Sequence, residues 1–149
     1  MDTTRLPPDF KDFLRLLTEH QVDYLLIGGY AVGHFGYVRA TADMDVWIAR
    51  ETTNAQRLVS ALKAFGFDVP DLDVELFLAE NRIVRMGVPP MRIEIHTDIS
   101  GVEFSDCYAR RVDSTIDGTP VTILSLDDLK SNKHASNRAK DIADLDNLP

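Results

Sequence analysis

The sequence predicts an α/β (α+β) fold: a mixed β-sheet flanked by helices, with two further helices at the carboxyl end. Two observations predict this class. Short apolar runs bounded by turn residues are typical of strands, and longer segments with apolar residues at helical spacing are typical of helices. Both kinds of segment are interspersed along the 149 residues. Such an order leads to helices packed in layers against a sheet.

The first half of the chain contains three helical and two strand patterns. Pro7 and Pro8 can open a helix, because proline is tolerated in the first helical turn. The apolar run Tyr24–Ile27 predicts a buried strand, and the pair Gly28-Gly29 predicts a tight turn after it. The predicted elements are a helix from Pro8 to about His20, a strand over 24–27, a helix over 30–36, a strand over 44–49 and a helix over 51–65.

The second half continues with short strands and ends in two helices. Asp117-Gly118 is a recognised hairpin turn pair, and it predicts two antiparallel strands on either side. The predicted elements are a short helix over 72–79, strands over 82–86 and 92–97 around a Gly-Val-Pro-Pro turn, a helix over 104–111, strands over 112–116 and 121–124, and helices over 126–134 and 139–148.

Composition and charge restrict the kind of protein. A chain of this length suits one compact domain, 1–149. The single cysteine, Cys107, excludes an internal disulfide and is typical of a small core residue in a reducing cytosol. Neither a signal peptide nor a membrane-spanning run is found, so we expect a cytoplasmic protein. The net charge of −8 argues against tight nonspecific binding to nucleic acid, but it allows a local basic groove.

Two aspartates on one predicted strand indicate a metal site. Asp43 and Asp45 are two residues apart, so their side chains project from the same face of a strand. Adjacent carboxylates repel each other and need an offsetting positive charge. Mg²⁺ prefers oxygen ligands and is often held by one or two carboxylates together with substrate phosphates. Taken alone, the pattern is more typical of an exposed strand end whose two aspartates are solvated.

Two further features favour the metal interpretation. Gly28 and Gly29 lie between a strand and a helix, where glycine allows close backbone approach and the helix N-terminus can receive a phosphate. On a later strand, Glu94, His96 and Asp98 share one face. If that strand lies beside the first, Glu94 supplies a third carboxylate, with Asp98 as the alternative. A lone histidine is more often structural than a ligand, so His96 is left out of the predicted site.

The order of these motifs resembles the nucleotidyltransferase fold of the DNA polymerase β superfamily. In that order, Gly28-Gly29 is followed after thirteen residues by Asp43-x-Asp45 and then by a carboxylate on a later strand. More narrowly, the chain is similar to small prokaryotic nucleotidyltransferases related to the toxin components of abortive-infection systems. The matching segments are Arg39-x-Thr41-x-Asp43-x-Asp45, Arg92-Ile93-Glu94-Ile95, 99–104, Leu126-Asp127-Asp128-Leu129, Lys133 and Arg138-Ala139-Lys140-Asp141.

The resemblance implies transfer of a nucleoside monophosphate from an NTP such as ATP to an acceptor, which could be RNA, a protein or a small molecule. It implies that Mg²⁺, with Mn²⁺ as the alternative ion, is held by Asp43, Asp45 and Glu94, which are also the implied catalytic residues. The implied nucleotide-binding residues are Gly28, Gly29, Arg39, Thr41 and Lys133. A cognate toxin or antitoxin partner is also implied, and no membrane partner.

Two other functions are compatible with the sequence. One is a noncatalytic nucleotide-binding or antitoxin-like partner module, because the short chain has little room for an acceptor-binding domain. Its intact set of costly clustered carboxylates argues against this function. The other is a nucleotidyltransferase of the antibiotic-modifying type, for which an acidic pocket would suit a cationic acceptor. Net charge supports that second function only weakly, since it does not locate the charges.

Overall fold

The computed structural model describes residues 5–41, 43–88 and 91–149. Its helices and strands follow one another in the order expected for an α/β fold. They are α1 (Pro8–Glu19), β1 (Tyr24–Ile27), α2 (Gly28–His34), β2 (Asp43–Ile48), α3 (Thr52–Phe65), a 3₁₀ turn (Val74–Phe77), β3 (Ile83–Met86), β4 (Arg92–His96), α4 (Phe104–Ala109), β5 (Val112–Ile116), β6 (Thr119–Ile123), α5 (Leu126–Ser136) and α6 (Ala139–Asn147).

The six strands form one mixed sheet in the order β3-β4-β2-β1-β6-β5. β2 and β4 pair in parallel, as do β1 and β6, whereas the other neighbouring pairs are antiparallel. The predicted fold class, a mixed sheet flanked by helices, is therefore confirmed. The parallel β2–β4 pair is the feature that matters for the site, because it places the amino ends of two acidic strands side by side.

The hydrophobic core lies between the sheet and the helices. All four residues of β1 are buried, as the apolar run Tyr24–Ile27 predicts. α1 turns four apolar residues toward the sheet, and in α3 the buried residues recur at helical spacing. Cys107 is fully buried in this core, and burial raises the pKa of its thiol to about 11, so it remains a neutral core residue.

Both ends of α3 follow from local sequence. Glu51 caps the amino end, where its carboxylate accepts hydrogen bonds from the backbone N–H groups of Thr53 (2.9 Å) and Asn54 (3.2 Å). Gly66 ends the helix with φ +100°, a left-handed conformation that favours glycine, as the sequence predicts. The buried Asn54 side chain then bonds the backbone of Asp23 and Ala49, which joins α3 to the strands.

Several boundaries differ from those predicted. The Gly28-Gly29 pair is the first turn of α2 rather than a separate turn before it, and α2 ends at His34. Only Val74–Phe77 of the predicted helix over 72–79 is helical, as a 3₁₀ turn. The strand after Asp117-Gly118 begins at Thr119 and includes Pro120. The two prolines of the Gly-Val-Pro-Pro turn lie outside the described residues. In the described part of the chain, no helix is long and apolar enough to cross a membrane.

The β5–β6 turn is tied to the amino-terminal segment through Asp117. Its carboxylate accepts a hydrogen bond from the backbone N–H of Leu6 (3.0 Å) and contacts Lys11 (3.2 Å) and Arg5 (3.1 Å). The Leu6 bond, together with the two cations, lowers the pKa of Asp117 from 3.8 to about 2. Asp117 has φ +49°, a conformation that asparagine also tolerates.

We expect the replacement Asp117→Asn to lower stability at neutral pH and to lose that effect in acid. A carboxylate with a lowered pKa stabilises the folded state above its unfolded pKa, and that stabilisation disappears as the pH falls through the folded pKa. The difference in thermal midpoint between wild type and variant should therefore be constant above about pH 5 and shrink toward about pH 2. Thermal unfolding followed by circular dichroism across this pH range tests the prediction. A difference in thermal midpoint that does not change with pH would contradict it.

Candidate active site

The register of β2 and β4 assembles the acidic residues. Asp43 lies opposite Arg92, Asp45 opposite Glu94, and Trp47 opposite His96. In β2, Met44, Val46 and Ile48 are fully buried on one face, while Asp43 and Asp45 are partly exposed on the other. In β4 the apolar Ile93 and Ile95 are likewise buried, and Glu94 and His96 are not. The alternation predicted from sequence therefore places Asp43, Asp45, Glu94 and His96 on one face of the sheet.

Trp47 ends the polar face of β2. Although it follows Asp43 and Asp45 at the same two-residue spacing, its side chain is buried. The Phe104 ring of α4 packs edge-on against it at 5.1 Å between centroids, and its indole N–H donates to the Thr97 carbonyl. This aromatic contact closes the site on that side and confines the carboxylates to the amino ends of the strands.

Asp45, Glu94 and His96 form a compact group of potential metal ligands. One ligand atom from each lies within 4.8 Å of the others. His96 Nε2 is 3.0 Å from Asp45 Oδ1 and 3.8 Å from Glu94 Oε2. Two carboxylates at this separation suit a hard ion such as Mg²⁺, and an added imidazole nitrogen is a ligand that Mn²⁺ accepts more readily. The donor set therefore fits a divalent ion.

The two carboxylates titrate differently although they are neighbours. Burial acts to raise the pKa of Asp45, but hydrogen bonds from His96 and Glu94 and the positive charge of Lys140 lower it overall. Burial raises the pKa of Glu94, and the adjacent Asp45 carboxylate raises it further against the opposing effect of Arg85. Of the two, Glu94 is therefore the better acceptor for a proton, while Asp45 keeps its charge.

Asp43 is held by an arginine instead of joining this group. Arg92 Nε donates to Asp43 Oδ1 at 3.1 Å, and Arg92 Nη2 donates to Asp43 Oδ2 at 2.9 Å. The same Nη2 atom is 3.4 Å from Glu94 Oε1, and Arg85 reaches that oxygen at 3.1 Å. The described carboxylates at the strand ends thus each have a positive or hydrogen-bonding partner within the chain. Asp43 as a metal ligand stays a prediction.

Gly28 and Gly29 bring the backbone of α2 against the carboxylates. A Cβ atom at Gly28 would lie 2.6 Å from Asp45 Oδ2, closer than atoms can approach, and Gly28 has φ +69°. A Cβ atom at Gly29 would lie 2.8 Å from the Thr41 side chain. The Thr41 hydroxyl donates to the Asp43 carbonyl at 3.1 Å. Only glycine allows this packing, and it leaves the start of α2 facing the cavity.

Arg39 and Lys133 belong to a buried charge cluster beneath the site. Arg39 pairs with Asp144 through two hydrogen bonds of 2.8 and 3.0 Å. Lys133 Nζ is 2.8 Å from Asp144 and 3.3 Å from Asp141, and the Lys133 side chain is only 5% exposed. Arg138 covers Asp141 from the outside. This cluster ties α5 and α6 to the loop before β2, so Arg39 and Lys133 already have acidic partners.

Asp98, the alternative third carboxylate, contacts residues outside the group formed by Asp45, Glu94 and His96. One of its oxygens accepts from the backbone N–H of Asn81 at 2.7 Å, and the other lies 3.6 Å from Arg50. It is not in the ligand group formed by the described residues. The geometry therefore favours Glu94 over Asp98 as a ligand beside Asp45.

A cavity of about 540 Å³ opens above these residues. It is lined by Gly28, Gly29 and the acidic strand ends on one side and by α5 and α6 on the other. The cavity contains a large share of the basic side chains of an acidic protein: Arg39, Arg85, Arg92, Lys133, Arg138 and Lys140, six of its 16 lysines and arginines. Among the described residues, Lys140 forms no ion pair within 4 Å, and its positive charge acts on the Asp45 carboxylate from a longer distance.

Comparison with known proteins places this arrangement in a known fold. A solved structure from Thermotoga maritima, described as a "putative nucleotidyltransferase", matches with a TM-score of 0.61 at 14% sequence identity, covering 97% of this chain and 94% of that one. The chain has the nucleotidyltransferase fold. No protein-family model matches the sequence, and no curated protein matches it. The similarity to the Thermotoga maritima protein thus lies in the backbone architecture rather than in the sequence.

Within this nucleotidyltransferase fold, the structure brings together some of the predicted residues and adds others. Asp45 and Glu94 are adjacent, and Gly28, Gly29, Arg39, Thr41 and Lys133 all line the same cavity. The sequence interpretation left out His96, although its two-residue spacing from Glu94 was the available signal. It also gave Arg92 no role of its own and placed Asp144 only in a possible helix-face network, because their partners Asp43 and Arg39 are reached across the fold.

Replacing Gly28 by alanine should displace Asp45. The new methyl group would collide with the carboxylate, and the positive φ adds about 1–2 kcal/mol of backbone strain. Gly118→Ala is a matched control, because Gly118 has φ +74° but nothing within 4 Å of its missing Cβ. We expect both variants to lose stability in urea unfolding, Gly28→Ala more than Gly118→Ala because of the added collision, and only Gly28→Ala to lose Mn²⁺ affinity in calorimetric titration. Equal Mn²⁺ affinity in the two variants would contradict the close-packing argument.

Proposed function

We propose that the protein is a metal-dependent nucleotidyltransferase that moves a nucleoside monophosphate from an NTP to an acceptor hydroxyl and releases pyrophosphate. The observation that carries this proposal is the Asp45–Glu94–His96 ligand group at the edge of a cavity rich in basic side chains. Such a combination suits a triphosphate, because the transfer depends mainly on positioning and on neutralising phosphate charge.

In the proposed reaction, the acceptor oxygen attacks the α-phosphorus, a new P–O bond forms, and the bond to pyrophosphate breaks. A bound Mg²⁺ or Mn²⁺ would neutralise charge on the triphosphate and lower the pKa of the attacking hydroxyl. Asp45 and Glu94, with His96, would hold the ion. Glu94, on the strand beside Asp45, would take the acceptor proton.

The remaining residues bind and orient the triphosphate. The start of α2 at Gly28 and Gly29 lines the cavity, and free backbone N–H groups at a helix start would receive a phosphate there. Lys140 would supply positive charge to the leaving pyrophosphate. Arg39 and Lys133 contribute mainly by keeping α5 and α6 in place, since their charges are already paired with Asp144 and Asp141.

ATP binding measured with and without Mg²⁺ tests the proposal. Wild-type protein should bind ATP in a Mg²⁺-dependent way, and a double variant with Asp43→Asn and Asp45→Asn should lose that dependence while staying folded. Calorimetric titration gives the affinities, and circular dichroism checks the fold. No binding of any NTP by folded wild-type protein would overturn the proposed activity and favour the partner-module function.

We further propose that the biological role is that of a toxin acting on an RNA or protein acceptor. This finer proposal rests on the resemblance of Arg92-Ile93-Glu94-Ile95, Leu126-Asp127-Asp128-Leu129, Lys133 and Arg138-Ala139-Lys140-Asp141 to segments of toxin-related enzymes. Induced expression in a bacterial host should then arrest growth, and Asp45→Asn should abolish the arrest at equal protein level. Growth arrest by both forms, or by neither, would count against a catalytic toxin.

A further inference from the structure

The ion pair between Arg92 and Asp43 affects how a metal ion and a nucleotide would bind in the cavity. Arg92 uses two nitrogen atoms on both oxygens of Asp43, at 3.1 and 2.9 Å, which is the bidentate geometry that arginine forms with carboxylates. Both residues begin their strands at paired positions, so the contact is set by the register of β2 and β4. The two side chains are only 24–31% exposed, so solvent screens the pair incompletely.

This contact is incompatible with full metal ligation by Asp43. The guanidinium occupies both oxygens of the carboxylate, and Arg92 Nη2 also lies 3.4 Å from Glu94 Oε1. A divalent ion bound between Asp45 and Glu94 would be close to this positive group and would be repelled by it. For Asp43 to join the ligand group, Arg92 has to leave it.

The cavity offers Arg92 another partner of the same geometry. Arginine binds phosphate through two parallel hydrogen bonds just as it binds a carboxylate. Arg92 lines the cavity together with Gly28 and Gly29, where the triphosphate is proposed to lie. We propose that Arg92 is a substrate-binding residue that pairs with Asp43 until a metal ion binds. When the metal ion binds Asp43, Arg92 is released and binds a phosphate of the nucleotide. This inference rests on the proposed function.

The exchange predicts opposite effects on the two ligands, which a purely structural ion pair would not produce. Without Arg92, the metal no longer competes with a guanidinium for Asp43, whereas the nucleotide loses a phosphate contact. In Arg92→Gln we therefore expect Mn²⁺ alone to bind about tenfold more tightly, a change of about 1.4 kcal/mol. The same variant should bind ATP in the presence of Mn²⁺ about tenfold or more weakly, as expected for the loss of a charged hydrogen bond.

The test is calorimetric titration of Mn²⁺ and then of ATP into wild type, Arg92→Gln, Arg92→Lys and Arg110→Gln. Arg110→Gln is the matched control, because Arg110 forms the same bidentate pair with Asp128 at 3.0 and 2.9 Å, away from the cavity. Its Mn²⁺ and ATP affinities should equal those of wild type. Arg92→Lys keeps the charge but not the bidentate geometry that occupies both oxygens of Asp43, so its Mn²⁺ affinity should rise toward that of Arg92→Gln. A Mn²⁺ affinity equal to that of wild type, the result of charge repulsion alone, would overturn the exchange.

A second measurement on unmutated protein keeps the inference testable if Arg92→Gln does not fold. The Nε–H resonance of Arg92 in ¹⁵N NMR, assigned through Arg92→Lys, should shift when Mg²⁺ is added and shift again with ATP. An unchanged Mn²⁺ affinity in Arg92→Gln, or an Arg92 resonance that does not shift with Mg²⁺, would overturn the proposed change of partner by Arg92. The proposed nucleotidyltransferase function would then still stand. If wild type bound neither Mn²⁺ nor ATP, the proposed function itself would be overturned, so the two failures are distinguishable.

Discussion

Asp45→Asn is expected to lower the rate of nucleotidyl transfer by about 10³-fold or more, because a metal centre supplies several kcal/mol of transition-state stabilisation and each 1.36 kcal/mol is a factor of ten. Asp45 is central to the ligand group, since it contacts His96 at 3.0 Å and lies opposite Glu94 in the sheet. Transfer from α-labelled ATP to a responsive acceptor, or pyrophosphate release, measures the rate.

The same substitution should lower the thermal midpoint only slightly at neutral pH. Burial acts to raise the pKa of Asp45, but hydrogen bonds from His96 and Glu94 and the charge of Lys140 lower it overall, so the carboxylate stabilises the folded state above its unfolded pKa. Relief of the repulsion between Asp45 and Glu94 offsets part of that loss. A cooperative unfolding transition well above the assay temperature, followed by circular dichroism, then separates a catalytic defect from unfolding.

Asp98→Asn is the matched control for this prediction. Asp98 is a carboxylate lining the same cavity, but it bonds the Asn81 backbone and Arg50 rather than the ligand group. We expect its transfer rate to stay within about threefold of wild type, since less than 1 kcal/mol is involved at such a half-exposed pair. Full activity in folded Asp45→Asn, or an equal loss in Asp98→Asn, would contradict the assignment of ligands.

Asp144→Asn is expected to destabilise the protein by about 3–5 kcal/mol, the range found when one partner of a buried ion pair is removed. The Asp144 side chain is 1% exposed and neutralises both Lys133 and Arg39. Without its charge, the buried Lys133 ammonium keeps only Asp141, at 3.3 Å, and that carboxylate is shared with Arg138. The urea midpoint should fall accordingly, with the slope of the transition unchanged.

Asp146→Asn provides the comparison on the same helix. Asp146 is exposed and two residues from Asp144, so its replacement should change stability by no more than about 0.5 kcal/mol. A loss in Asp144→Asn as small as that in Asp146→Asn would show that the cluster under the cavity does not stabilise the fold. ATP affinity should also fall in Asp144→Asn, because Arg39 and α6 lose their common anchor.

The sequence alone determined the class of fold and the faces of the strands. The apolar run Tyr24–Ile27 is entirely buried, and the alternation around Asp45 and Glu94 places the charged residues on one face and the apolar residues on the other. The alternation was predictable because side-chain direction in a strand follows a two-residue period, and the buried strand because its apolar run is unbroken. Gly28 and Gly29 were recognised for a different reason, since close backbone approach demands glycine.

Only the tertiary structure decided which residues meet. Whether β4 lies beside β2, and in which register, depends on pairing between segments about fifty residues apart, and this register brings His96 to Asp45 and Arg92 to Asp43. The same holds for Asp144, which reaches Arg39 across 105 positions of sequence. Sequence patterns report local periodicity and burial, whereas the partner of each charge is chosen by the packing of distant elements, because ion pairs require atoms within about 4 Å.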